Sequence, residues 1–222
     1  MSILDLGPAA PERVRIDPAI LYFGTPVALL TTINPDGGHN IMPMSSVWWI
    51  GHAAVLGLGT RSQTSDNLDR ERELVINLPS VEQVDAVDRL ALTTGRDPVP
   101  GVKHDVGYRH VDDKFAHAGL TRQASESVRA PRIAECPVQL EAKVVGLHPL
   151  VDRDDPDGHG AVVAVAVVTR VHIDPALAAE GHADRIDPDR WRPLVMSFQR
   201  FYGLGPQVHP SRLATIDEEW YR

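Results

Sequence analysis

The chain has 222 residues, of which 43% are hydrophobic and 23% are charged, and its formal net charge at pH 7 is −8. These values are typical of a globular domain with a sizeable core, and they exclude a disordered chain. Because the balance is acidic and no run of lysines and arginines occurs, no nucleic-acid partner is expected.

The N-terminal residues and the single cysteine bear on the cellular compartment of the protein. Residues Met1–Pro11 lack a basic stretch followed by an apolar one, so no signal peptide is expected. The longest apolar run, Gly160–Val168, is too short to cross a membrane. Cys136 is the only cysteine, which excludes an internal disulfide and fits a reducing environment. We therefore expect a cytoplasmic protein without membrane contact.

The N-terminal part of the chain predicts a short helix, a run of strands and two more helices. Asp17 as a cap and Pro18 in the first turn favour a helix over Asp17–Phe23. Apolar and β-branched runs separated by turn signals favour a β-meander after it. The further predicted elements are strands over Val27–Asn34, Asn40–Ile50 and Ala53–Gly59, a helix over Ser62–Arg72, a strand over Leu74–Leu78, and a helix that follows a capping box at Ser80–Gln83.

The C-terminal part predicts an irregular segment followed by long strands. Residues 93–131 are rich in Gly, Pro, His and charge, and we interpret them as an excursion with one or two short helices that acts as a lid or a dimer arm. Long strands are predicted over Cys136–Leu147 and Gly160–Ile173. Strands dominate without β-α-β alternation, so residues 1–222 are expected to form one mainly β domain, an antiparallel barrel with flanking helices.

The segment Asn40–Trp49 carries a proline in the middle of a predicted strand. Pro43 cannot donate to a strand ladder, so this strand must bulge or lie at a sheet edge. Backbone groups exposed in this way can pair with the polar edge of a planar heterocycle. Met42 and Met44 offer polarisable contacts to a ring face.

The segment Gly59–Asn67 places hydroxyl groups and an arginine at a strand-to-helix junction. A helix N-terminus has unpaired N–H groups and a partial positive charge, which suit a phosphate. Arg61 adds a charged donor, and no glycine-rich loop for a pyrophosphate is present. A plain helix cap is the alternative, and Thr60, Ser62 and Thr64 are compatible with both.

These segments carry a resemblance to a known family. The runs N-I-M-P-M-S-S-V-W-W from Asn40, L-G-L-G-T-R-S-Q-T-S-D-N-L from Leu56 and V-I-N-L-P-S from Val75 resemble the flavin reductase-like family of FMN-binding split barrels. The strand E-C-P-V-Q-L-E-A-K-V from Glu135 resembles the family's long barrel strand. The resemblance implies a split β-barrel of Greek-key-like antiparallel strands.

The resemblance also implies the site residues. The isoalloxazine and ribityl groups would be lined by Asn40, Met42, Pro43, Met44, Ser45 and Ser46. The phosphate would be held by Thr60, Arg61, Ser62 and Thr64, with Asn67 shaping the turn. A homodimer with flavin near the subunit interface is implied, in which residues 191–222 form a dimer contact or complete the site, through a group such as Arg200 or Tyr202.

The implied activity is hydride transfer from NADH or NADPH to flavin, with reduced flavin supplied to a partner such as a monooxygenase. The flavin carries the chemistry, so no catalytic acid or base is assigned. Two alternatives stay open. One is an FMN-binding protein or redox sensor without NAD(P)H turnover, and the other is an FMN oxidase or reductase that acts on another small substrate.

Other conspicuous residues favour structural interpretations. The spacings of His104, His110 and His117 match no metal-ligand pattern, so no metal is expected. The acidic run Asp152–Asp157 lacks the spacing of a calcium loop and predicts a solvated hairpin turn. Cys136 is expected to be a buried apolar residue, and the rings of Trp48 and Trp49 should point to opposite faces of a strand.

Overall fold

A computed structural model describes residues 13–151 and 160–221. The predicted turn at Asp152–Asp157 lies outside the described residues. The strands are β1 (Phe23–Pro26), β2 (Ala28–Ile33), β3 (His39–Met44), β4 (Val47–Ile50), β5 (Ala53–Gly59), β6 (Glu73–Leu78), β7 (Thr93–Thr94), β8 (Arg109–His110), β9 (Arg122–Gln123), β10 (Arg132–Ile133), β11 (Val138–Val151), β12 (Ala161–Ile173), β13 (Leu194–Ser197) and β14 (Arg200–Gly203). The α-helices are α1 (Gln63–Glu71), α2 (Val84–Leu90), α3 (Gly101–Asp105) and α4 (Lys114–Ala118), and short 3-10 helices cover Val81–Gln83, Pro175–Leu177, Arg212–Thr215 and Glu218–Tyr221.

A seven-stranded antiparallel sheet forms a split barrel. Its strand order is β3-β2-β6-β11-β12-β5-β4, so β3 and β4 are its two edges. These edges are joined in sequence by only Ser45 and Ser46. Because two residues span only a few ångströms, the sheet must roll until its edges meet. The amide of Gly57 donates to the carbonyl of Ser46 at 2.8 Å, which holds this link against β5.

The barrel core follows from alternation along the strands. Successive side chains of a strand point to opposite faces, and β5 buries Ala54, Leu56 and Leu58 while its intervening residues stay partly exposed. The first half of β12 has the same pattern. Helix α1 closes one end of this core through Leu68, which is fully buried. Burial of this apolar surface is the main stabilising contribution.

Residues 84–133 cover a second core on the other side of β2 and β3. Apolar residues of α2 and α4, among them Leu90 and Phe115, pack with Leu29 and Ile41. The excursion, residues 93–131, therefore lies against the barrel through α4. The pairs β7-β8 and β9-β10, within it and at its end, are only two residues long.

A three-stranded sheet of order β1-β13-β14 lies apart from the seven-stranded one. It is joined to the barrel at Val27, whose amide donates to the carbonyl of Leu194 at 2.8 Å. Part of the C-terminal segment 191–222 thus forms an antiparallel hairpin of β13 and β14.

The mainly β, antiparallel fold is confirmed, but three element predictions are wrong. Residues 17–22 are not helical, and Phe23 begins β1. Helix nucleation is unfavourable, and so short a helix is stable only if packing compensates for it. Leu21 and Phe23 are exposed, so packing does not compensate here. The predicted strand over Asn40–Ile50 is two strands. The sheet is no meander, because β3 pairs with β2 and β4 pairs with β5.

Candidate functional site

A cavity of about 560 Å³ lies where the barrel is split. Four separate stretches line it, within residues 22–27, 40–64, 87–114 and 196–201. Its volume is within the range typical of small-molecule sites.

The edge strand β3 and the link to β4 form one wall of the cavity. Met42, Pro43, Met44, Ser45 and Ser46 all line it, as does Gly57 of β5. Pro43 pairs with Leu29 of β2, and its strand has no partner on the other side. The edge interpretation of Pro43 is therefore confirmed, and no bulge interrupts this pairing.

The N-terminus of α1 forms the adjoining wall. Ser62, Gln63 and Thr64 line the cavity. The hydroxyl of Ser62 accepts from the Ser65 amide at 3.0 Å, so Ser62 is the helix cap. This cap satisfies only one of the unpaired amides at the start of the helix. It does not bond the amides of Gln63 and Thr64.

Asn40 connects these two walls. Its Nδ2 donates to Thr64 Oγ1 at 2.9 Å, and within the described part of the chain its Oδ1 is buried without a hydrogen-bond partner. Gly95 lies directly against this oxygen, since a Cβ at residue 95 would be 2.5 Å from it. A buried acceptor without a donor is costly, so a ligand donor at this point would be favourable.

Three of the predicted site residues are not among those that line the cavity. Asn67 is fully buried and donates to Thr32 Oγ1 and Asn34 Oδ1, each at 2.9 Å, so it fixes α1 to the end of β2. Thr60 is buried, and its Oγ1 has no hydrogen-bond partner among the described residues. Arg61 is exposed at the start of α1.

The excursion supplies a cationic wall that sequence reasoning missed. Lys114 is 3% exposed, and its Nζ donates to the Ile41 carbonyl at 2.8 Å. Burial, and secondarily the charge of Lys103, lower the pKa of the Lys114 amine to about 7. Lys103 itself lines the cavity with its ammonium 5.6 Å from the Tyr108 ring centre, and burial lowers its pKa.

A sequence signal for Lys114 exists in retrospect. Asp113 caps α4 by accepting from the Ala116 amide, which fixes the helix phase. Lys114 and Ala118 are then one turn apart and share the buried face with Phe115. A lysine on an apolar helix face indicates a functional or paired cation.

The C-terminal hairpin forms the last wall. Met196, Gln199 and Phe201 line the cavity, and Tyr22 lies beside them. The two residues predicted to complete the site, Arg200 and Tyr202, are exposed and do not line it.

The structure also gives the surroundings of the two tryptophans and the cysteine. Trp48 is 54% exposed whereas Trp49 packs against the core, which confirms their opposite orientations. Cys136 is buried, and this burial raises the pKa of its thiol, as expected of an apolar residue.

In residues 13–151 and 160–221 no three His, Cys, Asp or Glu side chains converge as metal ligands. Within the same ranges, every helix is too short or too polar to cross a bilayer.

Comparisons with known proteins place the chain in a family. Residues 20–205 match the model of the flavin reductase like domain family. The chain is 37% identical over 194 residues to the protein YdfE of Bacillus subtilis (strain 168), covering 87% of this chain and 90% of YdfE.

Two solved structures have the same fold. Flavoredoxin of Desulfovibrio vulgaris (Miyazaki F) superimposes with a TM-score of 0.71 at 19% identity, covering 93% of this chain and all of that one. Nitrilotriacetate monooxygenase component B from Bacillus cereus does so with a TM-score of 0.70 at 20% identity, covering 90% of this chain and all of that one. The sequence match over most of the chain, the split barrel and the cavity at its seam together establish that this protein belongs to the flavin reductase-like family, which implies flavin binding.

Proposed function

We propose that the chain binds FMN in the cavity at the split and transfers hydride from NADH or NADPH to flavin. The observation that carries this proposal is the match between the cavity's four walls and a flat ring with a polar edge and an anionic tail. The walls are apolar at the methionines and Phe201 and cationic at Lys103 and Lys114. At Asn40 Oδ1 they present a buried hydrogen-bond acceptor without a donor among the described residues.

The residues present fit FMN. A flavin has one ring N–H donor and several acceptors on its pyrimidine edge. Asn40 Oδ1 would accept from that donor, and the Lys114 amine would donate to an acceptor beside it. Asp88 is the only acidic residue that lines the described cavity, so the electrostatics favour an anion.

The phosphate would lie at the N-terminus of α1. It would be held by the Gln63 and Thr64 amides, the Thr64 hydroxyl and the Arg61 side chain. Thr60, Ser62 and Asn67 would then support the site without contacting the phosphate. Ser62 fixes the helix start through its cap, and Asn67 fixes the helix to β2.

FMN, when bound, supplies the hydride acceptor. The chain's own residues bind, orient and exclude water. The ammonium of Lys114 would favour negative charge at the ring edge beside it, and this preorganised charge would be worth more in a buried site than in water. The side chains of Met42 and Met44 would keep water from one ring face. The chain's own contributions would then be the position of the flavin and the charge around it.

We further propose a homodimer. Trp48 and Ile50 of β4 and Val145 and Val167 of β11 and β12 are exposed on the outer face of adjacent strands. The register places Ile50 opposite Ala53 and Ala53 opposite Val167, so these apolar side chains form one surface. A contiguous exposed apolar patch is typical of an interface, and a second copy of the chain would cover it.

We place the protein in the cytoplasm and expect its reduced flavin to leave for a partner oxygenase. The single buried cysteine supports a reducing compartment. Support for the oxygenase comes from the shared fold with component B of a monooxygenase.

The test uses the purified full chain. Titration with FMN should quench flavin fluorescence at a stoichiometry of one per chain, and NADH or NADPH oxidation should be followed at 340 nm with and without added FMN. Absence of FMN binding would overturn the proposal. Bound FMN that neither nucleotide reduces would instead favour the redox-sensor alternative, and reduction dependent on a third compound would favour the oxidase or reductase alternative.

A further inference from the structure

Backbone strain is concentrated beside the cavity. Among the described residues, four that are not glycine have positive φ, namely Arg72, Leu92, Phe198 and Gln199. Arg72 ends α1, whereas Leu92 and Gln199 line the cavity and Phe198 adjoins it. Side chains in the left-handed region are unfavourable, and they persist where the surroundings or a function require them.

Phe198 and Gln199 form the two-residue turn between β13 and β14. Their φ values are 45° and 63°, and the flanking residues Ser197 and Arg200 pair directly. Both signs match a type I′ turn, in which Asn-Gly is the favoured sequence. Asn-Gly would build the same hairpin with less strain, so hairpin formation does not explain the two side chains present.

The Phe198 side chain is explained by packing. Its ring meets that of Phe23 edge-on, with centres 5.0 Å apart. Its amide donates to the Tyr22 carbonyl at 2.8 Å. Since Tyr22 lines the cavity, these contacts fix the turn against the cavity wall.

The Gln199 side chain has no such explanation. It is exposed at the cavity and makes no hydrogen bond with any residue in the described ranges. Its wall neighbours Met196 and Phe201 are apolar, so the carboxamide is the polar group that this hairpin presents to a ligand. A primary carboxamide has donors and acceptors that pair with a second primary carboxamide through two N–H···O bonds.

We propose that Gln199 is a specificity-determining residue that pairs with the carboxamide of the reduced nicotinamide, and that the strained turn holds it in place. This inference rests on the proposed function, whose co-substrate carries such a carboxamide. Binding through both hydrogen bonds would orient the nicotinamide ring against the cavity. The loss of an orienting contact then affects nucleotide binding without affecting FMN affinity.

The test compares Gln199→Met and Gln199→Gly with wild type. Each is assayed with the preferred reduced dinucleotide and with its 3-acetylpyridine analogue, which lacks the amide nitrogen. For the natural nucleotide, KM should rise about tenfold in both variants, the usual scale for a lost hydrogen-bonded pair. For the analogue, KM should rise less, about threefold, because its acetyl carbonyl can still accept one of the two hydrogen bonds but it has no amide N–H to donate the other.

Arg72→Gly is the matched control. It removes the same kind of strain at the end of α1, away from the cavity, together with the exposed ion pair of Arg72 with Asp69. Gln199→Gly, which gives up no such contact, should raise Tm by about 1–3 °C. Of the two glycine variants, only Gln199→Gly should change the KM for the nucleotide. Unchanged KM in Gln199→Met, or an equal rise with both nucleotides, would overturn the assignment, while wild type that oxidises neither NADH nor NADPH would overturn the proposed function itself.

Discussion

The amine of Lys114 is the most unusual single group at the candidate site. It is buried, has no ion pair with a described residue, and donates to one backbone carbonyl. Desolvation makes the charged form unfavourable, which is why its pKa falls to about 7 from an ordinary value above 10. A ligand acceptor beside it would restore the charge and therefore raise this pKa.

Ligand binding should consequently take up a proton. In the free protein Lys114 is largely neutral at pH 9, so flavin affinity should fall about three- to tenfold per pH unit between pH 7 and 9. In Lys114→Met this dependence should disappear. Isothermal titration with riboflavin, which has no phosphate to titrate, measures it, and equal slopes in the two proteins would remove Lys114 from the ring site.

Arg61 tests the phosphate end of the site. Its exposed side chain lies at the start of α1, where an anion also meets the helix amides. Arg61→Ala should weaken FMN binding by about 1–3 kcal/mol, the scale of a charged hydrogen bond, and leave riboflavin affinity unchanged. Fluorescence titration with the two flavins gives both values, and equal losses would place the phosphate elsewhere.

At the scale of elements, a carboxylate of β11 holds the excursion on the barrel. Glu141 is fully buried and accepts from the Glu126 amide at 2.9 Å, from the Ser127 amide at 2.6 Å and from His172 Nε2 at 2.9 Å. Burial alone would raise the pKa of Glu141, but these hydrogen bonds outweigh it and lower the pKa to about 2.

Loss of this charge should loosen the excursion and destabilise the fold. Glu141→Gln should lower the free energy of unfolding by about 2–3 kcal/mol at pH 7, measured by urea denaturation. A carboxyl with a depressed folded pKa stabilises above its ordinary value near 4.3, and this contribution is lost as the pH falls towards 2. The difference between the two proteins should therefore shrink between pH 5 and 2. Glu126→Gln, at an exposed side chain, is the control and should change little.

Elements with local signals could be predicted from the sequence. Helix α1 begins after the Ser62 cap and ends at Arg72, and the capping box at Ser80 is present, because each depends on residues within one turn. Strand pairing depends on residues distant in sequence. The break at Ser45 and the position of β3 and β4 at opposite edges of the sheet could therefore not be predicted from the sequence. Pro43 indicated that its strand lies at a sheet edge, but not which of the two edges. Lys114 was missed because its burial depends on the excursion packing onto β3.

At the scale of the whole molecule, the apolar outer face of β4, β5, β11 and β12 is the feature to test. Val167→Asp places a charge within the proposed interface, and it should convert a dimer to a monomer in sedimentation-velocity experiments. Val106→Asp, at an exposed valine outside that face, is the control. A dimer that survives Val167→Asp would place the interface elsewhere.

The cavity is bounded by four stretches that span residues 22 to 201. A ligand that fills it bridges all four, and it stabilises the folded state in proportion to the logarithm of its free concentration. The empty chain is then the form most exposed to unfolding and to proteases. How much of this protein a cell keeps would therefore follow its vitamin B2 supply, even at a constant rate of synthesis.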